Sequence, residues 1–347
     1  MLKNKRIAVV GNHTSRNDTV HLVDLLIKNG FKVVKVFAPE HGFRGTADAG
    51  EKVNDTVDPQ TGLPVISLYG RHKKPLPADL RDVDLLLFDI QDVGVRFYTY
   101  LSTLHYVMEA GAENHVPVMV LDRPNPHIAE VDGPVMEKKY FSFVGMHPVP
   151  ILYGMTIGEY ARMINGEGWL KNGIRADLTV IPIRNYTRDS SYVLPVKPSP
   201  NLPNAQAVAL YPSLCLFEPT DISVGRGTDW PFQIYGSPLL PPEKYAFSFT
   251  PHPNAGARHP KHNGKKCFGE DLRSITPPKG IYLDWLLKAY RYYPEKEKFF
   301  RNGFERIAGT DTLRRQIEKG LSANEIKKSW QKKLEEFKKI RKKYLLY

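Results

Sequence analysis

Two cysteines, Cys215 and Cys267, are all that 347 residues contain. So few exclude a disulfide-stapled scaffold and most multi-cysteine metal sites. Long apolar runs are equally scarce. The longest, such as Asp84-Leu85-Leu86-Leu87-Phe88, are strand-length, far short of the ~18 apolar residues a membrane span needs. The opening MLKNKRIAVVGN runs straight into a strand pattern, without the apolar stretch and small-residue cleavage site of a secretory signal. Several chemical signatures are missing too. Gly11-Asn12-His13 is not followed by GxGxxG, and no GxxxxGK[ST] loop, GxSxG elbow or HExxH helix occurs, which removes the usual sequence support for dinucleotide, nucleotide-phosphate, serine-hydrolase and zincin chemistry. His252, His259, His262 and Cys267 share one loop, but their spacing matches no familiar zinc site. Neither a metal nor a cofactor is expected.

What is present is ordinary globular material, 41% hydrophobic and 25% charged, long enough for two domains of roughly 100–200 residues each. The net charge is +12, and nine Lys/Arg against three Glu lie between Leu321 and Tyr347. There Ser322 and Glu325 have capping-box spacing, and Ile326, Trp330, Leu334, Phe337 and Tyr344 recur at helical intervals. The pattern predicts an amphipathic helix with one buried stripe and a basic outer face. That face is either simply solvated or attracted to an anionic surface. Nothing else suggests a nucleic-acid partner, since aromatic and basic residues do not interleave.

The first half alternates strand and helix. Apolar runs at Arg6–Val10, Phe31–Ala38, Val65–Tyr69, Val83–Ile90 and Val116–Leu121 read as strands, with helical periodicity at Thr19–Asn29 and Thr99–Glu113. Nearly continuous apolar strands between helices predict a parallel sheet covered on both faces, an α/β doubly wound fold. Thr156 and Glu159 predict a further helix to Asn165, and Leu178–Ile183 a strand. Beyond the Pro-rich stretch Leu194–Pro203 the pattern changes. Strands and loops mix, Pro251–Gly269 reads as a long loop, and the last 70 residues or so are helical. The boundary is placed between residues 205 and 206, with a smaller α+β domain from 206 to 347.

In an open parallel sheet, ligands bind beyond the carboxyl ends of the strands. The residues there are Asn12 after the first strand, Glu40 and His41 after the second, Asp89 and Asp92 after Val83–Ile90, and Asp122 and Arg123 after Val116–Leu121. Carboxylates converging from three strand ends suit general acid–base work, because crowding and partial burial separate their pKa values. Each Asp alone would equally serve as a helix or turn cap. Glu40 is the strongest candidate, because Glu caps poorly and its loop, Pro-Glu-His-Gly-Phe-Arg-Gly, mixes two glycines with both charge signs. Further candidates are Arg96 and Tyr98 beyond a strand end, Asn201 in Pro198–Pro203, and Glu218, Arg226 and Asp229 among the glycines and aromatics of Glu218–Phe232. Aromatic faces with carboxylates and Arg are what a sugar site uses, by stacking and by charge-assisted hydrogen bonds.

At these segments the sequence resembles a known family. APEHGFRG (Ala38–Gly45), LLFDIQDVGVRFYTY (Leu86–Tyr100), LDRPNP (Leu121–Pro126), DGPV (Asp132–Val135), PSPNLP (Pro198–Pro203) and LYPSLCLFEPTDISVGRGTDWPFQIYG (Leu210–Gly236) occur in that order. Together they resemble the NamZ-type exo-β-N-acetylmuramidases, glycoside hydrolase family one hundred and seventy-one. The resemblance implies a Rossmann-like N-terminal domain, a smaller C-terminal domain and a site in the cleft between them. It implies release of N-acetylmuramic acid from non-reducing ends of peptidoglycan fragments, so that muropeptides or related saccharides are the partners. The glutamate of its proposed catalytic motif corresponds to Glu40, with His41 beside it. A second catalytic group is sought among Asp89, Asp92 and Asp122, or in the substrate's own acetamido group. Arg96 or Arg226 is expected to read the lactyl carboxylate. The resemblance also implies export, to the periplasm in Gram-negative cells, whereas the sequence shows no signal and reads either as cytoplasmic or as a mature form whose signal was removed; without a long apolar run, no stable membrane insertion is expected. Pro219 and Asp221 depart from the family pattern, in which Gly and Asn are commoner. The alternative is a non-catalytic cell-wall sugar-binding protein using the same cleft.

Overall fold

The computed structural model describes residues 1–40, 42–44, 55–70 and 72–347. The apolar runs become the strands of one sheet: β1 (Ile7–Gly11), β4 (Val33–Ala38), β6 (Pro64–Ser67), β7 (Leu85–Asp89), β8 (Val118–Leu121) and β9 (Leu178–Ile181). A short edge strand, β5 (Thr56–Val57), completes it, and a two-residue hairpin of β2 (Arg16–Asn17) and β3 (Val20–His21) lies outside it. The strand order is β5-β6-β4-β1-β7-β8-β9, parallel throughout except for β5 against β6. The chain winds outward from β1 to β6, crosses back to β7, and winds outward again to β9. The doubly wound reversal therefore falls between β1 and β7, and a crevice opens at their carboxyl ends.

Alternation along the strands feeds both faces. Ala8, Val10, Leu86, Phe88, Val118 and Val120 pack into one core with α3 (Tyr100–Glu113) and α4 (Ile157–Gly166). Ile7, Val9, Val36, Leu85 and Leu87 pack on the other side with Val23 and Leu26 of α1 (Leu22–Lys28). α1 starts later than its periodicity predicts. Val20 and His21 are engaged in the hairpin, and the His21 ring accepts from the Val23 amide at 3.2 Å as the N-cap. The helix predicted at Thr156 does form, with Thr156 and Glu159 making a capping box.

The second half supplies α5 (Ala205–Leu214), an antiparallel sheet of β10 (Ile234–Ser237), β12 (Cys267–Asp271) and β11 (Phe247–Phe249) in that order, and five more helices. These are α6 (Asp284–Tyr292), α7 (Lys296–Phe299), α8 (Phe304–Ala308), α9 (Thr312–Glu318) and α10 (Ala323–Lys342), while a short α2 (Pro77–Leu80) precedes β7. In α10 the predicted capping box is present, and Ile326, Trp330, Leu334 and Phe337 are buried. The larger core runs on without a break from the parallel sheet to Phe217, Trp285, Phe304 and Trp330. Beyond α10 the chain returns to the first half. Arg341 donates twice to the Gly154 carbonyl, and the Tyr347 hydroxyl donates to Asp122 at 2.8 Å. No described helix is long and apolar enough to cross a membrane.

A polar chain runs through the main core beside α3. Lys74 pairs with Glu109, Glu109 faces His105, the His105 and His147 rings share a hydrogen bond at 2.9 Å, and His147 meets the Tyr160 hydroxyl at 3.0 Å. Burial lowers the pKa of both imidazoles, that of His147 well below the usual range, and of His21 as well. In the unfolded chain these rings take up protons near pH 6.5. The unfolded state then binds more protons, so folding stability falls as pH drops through that value. Asp92, pushed up to about 6 by burial, opposes the trend, as does Asp122, which burial also raises. Stability is expected to drop by about 2 kcal/mol from pH 7.5 to 5.5, a few degrees in Tm. Thermal melts across that range should show it, with a shallower decline in His105→Gln.

Candidate active site

β4 ends at Ala38, and Pro39 carries the chain out to Glu40 at the sheet's carboxyl edge. Thr99, just before α3, donates to the Glu40 carboxylate at 2.7 Å, and Tyr69, beyond the end of β6, stands close enough to feel its charge. Burial, reinforced by the Glu40 charge, pushes the phenols of Tyr69 and Tyr100 far up. Tyr98 meets Tyr100 edge-on at 4.8 Å and donates to the Pro198 carbonyl at 2.9 Å, which anchors the Pro-rich strap. Asn201 of that strap donates to the Gly256 carbonyl at 2.6 Å.

The opposite wall comes from the second half. α5 and a following turn of 3-10 helix deliver Glu218, and the glycine-rich loop after it delivers Arg226 and Phe232. Arg226 donates from Nε to Glu218 at 3.1 Å and lies 5.1 Å over the Phe232 ring. Burial alone would raise the pKa of Glu218, but Arg226 and the nearby Lys261 together hold it below the usual range. Between the walls is a cleft of about 180 Å³ lined by Glu40, Tyr98, Thr99, Tyr100, Asn201, Glu218, Arg226 and Phe232, among others. Its two carboxylates thus sit in unlike surroundings, one among hydroxyls and one beside cations.

The remaining predicted residues lie elsewhere. Arg96 is buried and donates to three main-chain carbonyls, Pro134 at 2.8 Å, Val149 at 2.9 Å and Ile307 at 2.7 Å. Its guanidinium is committed to those oxygens, burial pulls its pKa down to about 9, and it does not line the cleft. Asp89 is buried against Arg123, which donates to it from two nitrogens at 2.6 and 2.8 Å, so each neutralises the other. Asp92 accepts from Tyr153 and from the Gly94 amide inside the core. Asp122 accepts from Thr156, Tyr347 and the amides of Gly158 and Arg123, a cap for α4. Asn12 is buried, with Oδ1 filled by Thr14 and Nδ2 donating to the Tyr100 hydroxyl at 2.8 Å, so it supports the cleft wall from behind. Asp229 is exposed and outside the cleft. His41 lies outside the described residues.

Sequence reasoning did not single out Tyr69, Thr99 or Lys261. The first two carried a signal, since Tyr69 closes a predicted strand and Thr99 opens a predicted helix. Among the described residues no three His, Cys, Asp or Glu side chains group closely enough to hold a metal ion. His262 instead bonds the Asp221 carbonyl. Cys215 and Cys267 are free thiols, both buried.

Two family models cover almost the whole chain, the N-terminal part of the exo-β-N-acetylmuramidase NamZ at residues 7–206 and its C-terminal part at residues 209–347. The peptidoglycan β-N-acetylmuramidase NamZ of Bacillus subtilis (strain 168) is 41% identical, the match spanning 100% of this chain and 88% of that protein. Two crystal structures of DUF1343-family proteins from Bacteroides fragilis NCTC 9343 share the fold. One is 48% identical with a TM-score of 0.93, the other 28% identical with a TM-score of 0.87, each covering 100% of this chain and 95% of its own. With its parallel sheet, its cleft and its full-length similarity taken together, this chain belongs to the NamZ family of exo-β-N-acetylmuramidases.

Proposed function

We propose that the protein is a glycoside hydrolase that releases β-linked N-acetylmuramic acid from the non-reducing ends of peptidoglycan fragments, with Glu40 as the proton donor. The observation that carries the assignment is the pairing of Glu40 and Glu218 on opposite walls of one cleft, each with its own kind of neighbour. Cleaving a glycosidic bond requires a proton for the leaving oxygen and negative charge near an oxocarbenium-like transition state. Glu40 supplies the proton. A hydroxyl both donates and accepts, so Thr99 holds the Glu40 side chain before and after the proton leaves, with the Tyr69 phenol beside it. Glu218, kept ionised by Arg226, supplies the negative charge. It takes the place sought among Asp89, Asp92 and Asp122, whose carboxylates are engaged elsewhere.

Arg226 is the reader of the lactyl carboxylate. Its Nε is used by Glu218, and its two terminal nitrogens bond no other described residue. The Phe232 ring beneath it and the bond to Glu218 restrain the guanidinium, which favours bidentate recognition. Tyr98 and Phe232 are buried among other rings and shape the cleft wall against which a sugar would lie. The two parts of the protein divide at residues 205 and 206, where the strap enters α5. The family resemblance supports action outside the cytoplasmic membrane, in the periplasm or otherwise exported.

Glu40→Gln should fold as the wild type does and lose two to four orders of magnitude in kcat on a muramic acid–glucosamine disaccharide. With a nitrophenyl leaving group, which departs without a proton, the deficit should shrink. Equal deficits on both substrates would remove Glu40 from the acid role. Arg226→Ala should reduce the kcat/KM preference for muramic over glucosamine glycosides by about 10- to 100-fold, the range of a lost charge-assisted pair. The two rates compared in parallel measure this, and an unchanged ratio would assign the lactyl group to another residue.

A further inference from the structure

The long loop 251–266 holds a lysine that the reaction described above does not use. Lys261 extends beneath the cleft wall and places Nζ within 3.1 Å of Phe217 O, 2.7 Å of Glu218 O, 2.9 Å of Thr220 O and 3.0 Å of Ile222 O. An ammonium has three N–H bonds, so four carbonyl oxygens surround it and at least one proton is shared. Those oxygens gather there because α5 and the 3-10 turn Cys215–Phe217 end at Glu218. The last carbonyls of a helix have no partner within it, and a cation at that end is favoured by the helix dipole. His262, the next residue, bonds the Asp221 carbonyl at 2.5 Å.

We infer that Lys261 is a positioning residue for glycoside cleavage: its ammonium, enclosed by the four carbonyls of residues 217–222, fixes Glu218 on the cleft wall in the orientation the transition state requires. The inference rests on the role given to Glu218 above. Its physical content is that the main chain on either side of Glu218 is held by one charge. Phe217 O also accepts from the amide and hydroxyl of Thr220, but a side chain at position 261 with fewer donors would leave part of the set formed by Glu218 O, Thr220 O and Ile222 O without its donor, and the loop would relax to solvate it. Lys261 also acts at a distance. Glu218 is faced by Arg226, Lys261, Tyr211 and Cys215, with Glu40 across the cleft, while Arg301 and Asp221 flank Lys261 itself. Of the two cations that keep Glu218 ionised, Lys261 is one. Burial draws Lys261 down to about 8, which leaves most of it charged at neutral pH.

The test uses the full chain on the muramic acid–glucosamine disaccharide. Lys261→Gln keeps two donors and loses the charge. It should lower kcat by about 10- to 100-fold, the effect of a misplaced group, with little change in KM. It should also move the acid limb of kcat/KM to higher pH, because Glu218 then faces one cation instead of two. Lys261→Ala should recover part of its kcat with propylammonium, which replaces the missing stem and charge, but not with tetramethylammonium, which cannot donate. Should Lys261→Ala not fold, Lys261→Gln carries the measurement alone. Wild-type kcat and an unmoved acid limb in folded Lys261→Gln, with Glu40→Gln inactive, would overturn the clamp and leave the Glu40 assignment standing. A wild type without turnover would overturn both.

Discussion

Main-chain carbonyl oxygens that are taken out of water must find a donor, and in this protein basic side chains from distant parts of the chain supply it. Arg96 serves three such oxygens, Lys261 four, and Arg341 and Arg188 converge on the carbonyl of Gly154. An unpaired buried carbonyl costs on the order of 1–3 kcal/mol, so each of these cations restrains several segments at once. Arg96 joins the Pro134–Val149 region to α8, and Arg341 brings the end of α10 onto the first half. Part of the positive excess is therefore structural, spent on main-chain oxygens and not on a polyanionic partner.

The same economy decides which carboxylates reach the cleft. Asp89 is matched by Arg123, Asp122 caps α4, and Asp92 is sealed behind Tyr153. What remains on the cleft walls, among the described residues, is Glu40 and Glu218. Their difference arises from their neighbours and not from their residue type. Hydroxyls can follow a proton in either direction, whereas fixed cations hold a carboxylate in one state.

The doubly wound sheet was legible in the sequence because a strand buried on both faces must be apolar at every position, and runs such as Leu85–Phe88 are. The place of Glu40 at the sheet's carboxyl edge was legible because the rule that ligands bind at strand carboxyl ends needs only local information. The capping boxes at Thr156 and Ser322 were legible for the same reason. Arg96 was misread because an arginine between valines and tyrosines looks the same whether it meets a ligand or three carbonyls from residues 134, 149 and 307. Lys261 was invisible because its partners lie some forty positions earlier in the chain, and nothing in its own loop encodes them. The start of α1 was displaced by the hairpin at Val20–His21, a tertiary event outside the reach of helical periodicity.

One apolar core passes beneath both walls of the cleft without a seam. Two lobes sharing a core cannot swing apart as hinged halves do, since separating them would expose that core to water. The walls that rest on this core are thus in place before any sugar arrives. Binding loses little free energy to reorganisation, and selectivity becomes a matter of shape at the mouth. A wall set by the core in this way favours the ligand whose shape already matches it.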